Sequence, residues 1–190
     1  MQVRWLGNAC IEIKGEQNIL IDPNYLTDPE IEPDIILVTH EHSDHIDPGK
    51  LEQFNDYKLY APSSVFDEFD LDGETIQAGD TIQEDIQVMG CDCYGSEGSV
   101  CYYYKGLYHT ADASDYKNPG DVKLLFTACF SNLYDDYLES IEDIQPDLTV
   151  PYHIDPNDEE DLKEMNGLKT FLVEHNINSR ILVMGEEIEV

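Results

Sequence analysis

The chain has 190 residues, 41% hydrophobic and 27% charged, a length and composition suited to one globular domain spanning residues 1–190 and not to a disordered or fibrous chain. Its 41 Asp and Glu against 10 Lys and Arg give a formal net charge of -31, a field that repels nucleic acid and anionic membranes, since both are held through Lys and Arg. The opening MQVRWLGNACIEI has neither a signal peptide's apolar core nor a membrane span, and five cysteines, an odd number, make no disulfide framework in a chain of this size. A cytoplasmic protein with reduced thiols is therefore expected. Its acidity is either a solvated shell or a selector of cationic partners.

In chain order, short β-rich runs come first: Gln2 to Trp5, Cys10 to Ile13, Asn18 to Ile21 and Asp34 to Val38, punctuated by Gly7, Gly15 and Pro23. The first three read as a meander. After Val38 comes a His-rich loop, then Asp47 and Pro48 as N-cap and first helical residue of a short helix through GKLEQF. Lys58 to Ala61 reads as a buried strand, Pro62 to Ser64 opens a second short helix, and Asp70 to Glu74 is an acidic turn. Strands follow at Ile86 to Met89, Val100 to Tyr104 and Leu107 to Thr110, with Gly106 turning the last pair into a hairpin. Further on, Val122 to Phe126 and Leu148 to Val150 read as strands, Asp135 to Ile144 and Glu159 to His175 as helices, and Ile181 to Val183 as a closing strand. Strands alternating with helices in both halves predict a layered α/β (α+β) fold.

The chemistry concentrates in THEHSDHID, Thr39 to Asp47, which places His40, His42, Asp44 and His45 directly after the apolar run DIILV. Half of the six histidines lie in this loop. Imidazoles and carboxylates gathered this densely prefer water unless a cation sits among them, and a divalent metal supplies one. Alternation puts His40 and His42 on one side of an extended segment, whereas Asp44 and His45, past the bend, face a second position. The spacing suits two adjacent metals.

This run resembles the HxHxDH motif of the metallo-β-lactamase superfamily, which also follows an apolar strand ending in Thr. Similarity to the superfamily's lactonase-like branch continues in WLGNACIEI, in ILIDP, in LYHTADAS, in VPYH and in the terminal MGEEIEV. The resemblance implies a four-layer αβ/βα sandwich. It implies His40 and His42 as ligands of one metal and Asp44, His45 and His153 as ligands of a second, with Asp112 bridging them. Asp44 is also the candidate catalytic carboxylate. Asp22, closing ILID, either orients a ligand histidine or forms the turn before Pro23. His109 lies three residues before Asp112 and is expected to support the ligands without joining them.

Two positions depart from the branch's pattern. It usually supplies a third histidine to the first metal, yet no histidine lies between His45 and His109. Cys93 falls at or beside that place; it is either a zinc-binding thiolate or a small buried thiol. Asn8 stands where the branch usually has a histidine after glycine, and either lines the floor of the site or only forms the turn. His175 ends a long helix, where the helix dipole favours a positive charge, and Tyr102, Tyr103 and Tyr104 are expected in the core or on the surface, the alternative being that one of them edges the pocket.

The expected activity is hydrolysis of a small ester, lactone or phosphate-containing metabolite by metal-bound hydroxide, which a metal makes available near neutral pH. One or two divalent ions are implied, zinc first, with manganese or iron acceptable to the same donors. The alternative is a non-catalytic metal-binding scaffold or sensor on the same fold. Redox chemistry at a di-iron site is disfavoured because His42 stands where such sites carry a carboxylate. A small-molecule substrate is expected, with neither nucleic acid nor membrane as partner.

Overall fold

The computed structural model describes residues 1–190. In the first half, β1 (Gln2–Trp5), β2 (Ile11–Lys14), β3 (Ile19–Ile21) and β4 (Ile35–Leu37) precede α1 (Pro48–Leu51), β5 (Lys58–Ala61), α2 (Ser63–Glu68), β6 (Glu74–Thr75), β7 (Thr81–Ile82) and β8 (Ile86–Gly90). In the second, β9 (Val100–Tyr104), β10 (Leu107–His109) and β11 (Leu124–Thr127) lead to α3 (Tyr134–Ile144), β12 (Leu148–Pro151), α4 (Glu159–Glu174) and β13 (Glu187–Glu189). The strands form two mixed sheets, ordered β13-β1-β2-β3-β4-β5-β6 and β12-β11-β10-β9-β8-β7. Within the first, β1 to β3 form the predicted antiparallel meander, and β4, β5 and β6 continue it in parallel.

Burial on both faces makes β3 and β4 continuous apolar runs, as buried parallel strands require. Successive side chains go to opposite sides. Ile19, Ile21, Ile35 and Leu37 join the main core, whereas Leu20 and Ile36 join a smaller core with Leu51 of α1 and Val65 of α2. The main core takes in Tyr102, Leu125 and Phe126 from the second sheet, Tyr137 and Ile141 from α3, and Leu168 and Leu172 from α4. The outcome is the predicted αβ/βα sandwich, with α1 and α2 on one outer face and α3 and α4 on the other.

Local signals account for the helix ends. Asp47 accepts a hydrogen bond from Gly49 N at 2.9 Å with Pro48 at the first helical position, and Asp158 caps α4 through Glu160 N at 2.7 Å. At α4's other end, His175 forms the cap, and its Nδ1 lies 2.8 Å from Phe171 O. Gly167 inside α4 lies directly against the Tyr134 hydroxyl, which donates to Glu164 O at 2.6 Å. Any side chain there would displace that tyrosine.

Several expected elements differ. Ile181 to Val183 is not a strand: Leu182 is buried against the core, Val183 is exposed, and the chain turns at Gly185 before pairing β13 with β1. β6 and β7 are two-residue edge strands of mostly exposed residues, too short and polar to show an apolar period. α1 stops at Leu51, short of the predicted Phe54.

Gly7, between β1 and β2, has φ +93°, and a Cβ there would lie 2.8 Å from Leu26 Cβ. Gly7→Ala combines a left-handed backbone with that clash and is expected to destabilise the fold by about 1–3 kcal/mol. Urea unfolding of both proteins measures the loss as a lower midpoint.

Candidate metal centre

The site forms where loops after β4, β10 and β12 meet. His40, His42, Asp44 and His45 come from the first, Asp112 from the second and His153 from the third. Two groups of donors result, each with its ligand atoms within 4.8 Å of one another: His40, His42 and Asp112, and Asp44, His45, Asp112 and His153. Asp112 alone belongs to both. Its Oδ2 lies 3.4 Å from His40 Nε2, and its Oδ1 lies 2.8 Å from His45 Nε2 and 3.0 Å from His153 Nε2. Asp44 Oδ2 is 3.2 Å from His153 Nε2, and that nitrogen is 3.1 Å from His45 Nε2.

These donors fit a divalent cation. Imidazole nitrogens and carboxylate oxygens are what zinc and related ions take. Asp112 Oδ1 is enclosed yet no hydrogen bond aligns on it, although such groups are normally paired. The electrostatics point the same way. Burial opposes charge on His45, but Asp112 and Asp22 flanking the ring reverse this and hold its pKa well above the usual value. His153 behaves likewise: burial is overcome, chiefly by Asp112, and its pKa rises to about 9. Asp112 is driven well below the carboxylate range because His45 and His153 outweigh its own burial, and Asp44 falls to about 2 for similar reasons. The carboxylates thus call for positive charge at the point where the nitrogens converge.

Around these donors a buried frame sets their orientation. Asp22, fully buried, accepts from Thr39 N on Oδ1 and from the Thr39 hydroxyl on Oδ2, both at 2.8 Å, and its Oδ2 lies 2.7 Å from His45 Nδ1. With the Thr39 proton committed to Asp22, its hydroxyl oxygen accepts from His40 Nδ1 at 3.0 Å. Both rings therefore carry hydrogen on Nδ1 and turn Nε2 toward the other donors. Asp22 thus makes the contacts of an orienting carboxylate and is also a turn residue at φ +50°. Thr39, which joins it in these contacts, was passed over by sequence reasoning, because Thr at a strand end has many ordinary explanations.

His109 stands outside both groups. It is buried, its Nε2 donates to Ala9 O at 2.9 Å, and the Tyr152 hydroxyl lies 3.2 Å away. Burial lowers its pKa, leaving a neutral ring 3.8 Å from Asp22 Oδ2. Asn8 works through its backbone: its N–H donates to Ile154 O at 2.9 Å and its carbonyl accepts from His153 N at 3.1 Å. Its side chain donates to Asn24 O, and the Asn24 amide donates to Ser43 O, so the turn braces both His153 and the His-rich loop.

Cys93 lines the cleft beside His42 and Asp112 but lies outside both donor groups. Its thiol sits 3.9 Å from that of Cys91, and Cys91 together with burial pushes its pKa strongly upward. Cys93 is a buried thiol whose Sγ stands outside both donor groups. Tyr102 and Tyr104 are core residues, and none of the three adjacent tyrosines lines the cleft.

Backbone strain collects at the same place. Of ten non-glycine residues with positive φ, Asn8, Asp22, Ala111 and His153 all adjoin the site. For His153 and Ala111 that conformation is unfavourable, so the fold spends stability to hold these loops together.

Comparison with known proteins agrees with this architecture. Residues 2–153 match the family model described as a beta-lactamase superfamily domain. A UPF0173 metal-dependent hydrolase of Thermoplasma acidophilum is 27% identical, the match covering 80% of this chain and 83% of the relative. Another, from Thermococcus kodakarensis, is 28% identical with both chains fully covered. Among solved structures, Igni18, a metallo hydrolase from Ignicoccus hospitalis, superposes with a TM-score of 0.73 at 14% identity over 100% of this chain and 98% of its own. The metallo-beta-lactamase fold protein YhfI from Bacillus subtilis also gives 0.73, at 15% identity and 99% coverage of both. With its family model over residues 2–153 and its sandwich in agreement, the chain belongs to the metallo-β-lactamase superfamily.

Proposed function

We propose that this protein is a metal-dependent hydrolase of a small ester, lactone or phosphate-containing compound. The observation that carries this reading is the pair of donor groups sharing Asp112, which with His42 lines an open cleft of about 660 Å³. The relatives named as metal-dependent hydrolases support it. His40, His42 and Asp112 would hold one ion and Asp44, His45, Asp112 and His153 a second, zinc being the first candidate and manganese or iron the others. When bound, such ions supply Lewis acidity and lower the pKa of water to roughly 7.

The chain's own residues do the remainder. Asp22 and Thr39 keep protons on Nδ1 of His45 and His40, so that each Nε2 stays a donor of its lone pair. Asp44, half-exposed and held ionised, borders solvent beside His153, where it would complete the second donor group and, as the candidate catalytic carboxylate, would orient a water bound there. Phe130 packs its ring 5.4 Å from that of His153 and restricts water on that side.

Metal content per chain, measured on protein purified without added metal, tests this reading together with hydrolysis of a lactone, ester and phosphoester panel. One or two ions per chain with turnover in at least one class, lost on chelation and restored by metal, is expected. Bound metal without turnover in any class would favour the scaffold alternative. Cys93→Ser is expected to leave the metal content unchanged, because its thiol stands outside both donor groups.

A further inference from the structure

The cleft that opens over His42 and Asp112 contains no lysine or arginine. Its charged lining is acidic, Asp92 and Asp112, and its apolar lining includes Tyr94, Phe130 and Leu133. Of the ten Lys and Arg, four are engaged with other groups: Arg4 with Glu12, Lys105 with Glu16, Arg180 with Glu186, and Lys50 with Asn24 and the Tyr25 ring. The segment carrying Asp92 and Tyr94 is pinned to the His-rich loop, since the Ser96 hydroxyl donates to Glu41 at 2.8 Å and Val100 N donates to Thr39 O at 3.1 Å. Tyr94 is 98% exposed, with its ring presented to whatever enters.

A site for phosphorylated or carboxylated substrates needs donors that match those oxygens, which Arg and Lys supply. None stands here. Beyond the reach of the donor groups, the part of the substrate away from the reacting bond meets Asp92 and the aromatic faces of Tyr94 and Phe130. A carboxylate beside an aromatic ring attracts cations, and so does the net charge of -31.

Resting on the hydrolase reading and narrowing its substrate classes, we infer that the cleft selects by charge: its substrate is an ester or lactone whose remote part is positively charged or neutral and partly apolar, so that of the classes named above the phosphate-containing compounds are disfavoured, as are carboxylated ones.

Calorimetric binding of three inert probes to the protein as purified tests this without turnover: benzyltrimethylammonium, N-benzylacetamide and benzenesulfonate. The cation is expected to bind best and benzenesulfonate weakest, separated by roughly tenfold or more at low salt. Asp92→Asn should narrow the cation's lead, and Tyr94→Ala should weaken cation and neutral probe alike while leaving metal content unchanged. Benzenesulfonate binding as tightly as the neutral probe, or a cation preference untouched by Asp92→Asn, would overturn the inference. A protein that shows the expected order but hydrolyses nothing would sink the hydrolase reading and leave the charge selection standing.

Discussion

Asp112→Ala is expected to remove metal from both donor groups and to abolish hydrolysis, the largest effect of any single substitution in the molecule. Asp112 is the one side chain the two groups have in common, within 3.4 Å of His40 on one oxygen and 3.0 Å of His45 and His153 on the other. Its loss leaves one group with two imidazoles and the other with three donors. It also removes the main charge that keeps His45 and His153 protonated when no cation is present, stranding two buried rings. Elemental analysis should show metal falling to background, whereas His42→Ala, affecting one group only, should retain about one ion if both groups load. Retention of full metal content by the Asp112→Ala protein would refute the shared-ligand geometry.

Sequence and structure agree best where one segment carries its own signal. THEHSDHID is dense enough in donors to announce a cation from composition alone, and the apolar runs β3 and β4 before it are unmistakable as buried strands. Asp112 and His153 were accessible only through resemblance, since a lone Asp in LYHTADAS and a lone His in VPYH have no local pattern that marks them as ligands. What brings them to the His-rich loop is tertiary: parallel pairing of β10, β11 and β12 delivers both loops to one end of the sheet. The bracing role of Asn8 depends on pairing with Ile154 across the whole chain, which no window contains. β13 escaped because an edge strand is chosen by its partner's free hydrogen bonds and not by its own apolarity; the more hydrophobic Ile181 to Val183 run caps the core instead.

The second large effect belongs to a residue that touches no metal. Asp22→Asn preserves size and one acceptor but replaces an oxygen of the orienting carboxylate with an amide nitrogen. The amide oxygen can still accept from Thr39 N; the new N–H₂ then faces His45 Nδ1 and the Thr39 hydroxyl, both of which now donate toward Asp22. Two donors cannot share that contact, so His45 must move its proton to Nε2, the nitrogen that points at Asp112, and Thr39 must release its hold on His40. Metal affinity is expected to fall about 10–100-fold, the range seen when a residue orienting a metal ligand is lost. Asp22→Ala should do the same and also destabilise the fold by roughly 3–5 kcal/mol, because it breaks a buried charged network. Competition against a chromophoric chelator reads the affinity, and urea unfolding of the metal-free proteins reads the stability. An Asp22→Asn protein that binds metal as tightly as wild type would show that the tautomer of His45 is set elsewhere, whereas weakened binding with near-normal stability would assign Asp22 its role through His45 and Thr39.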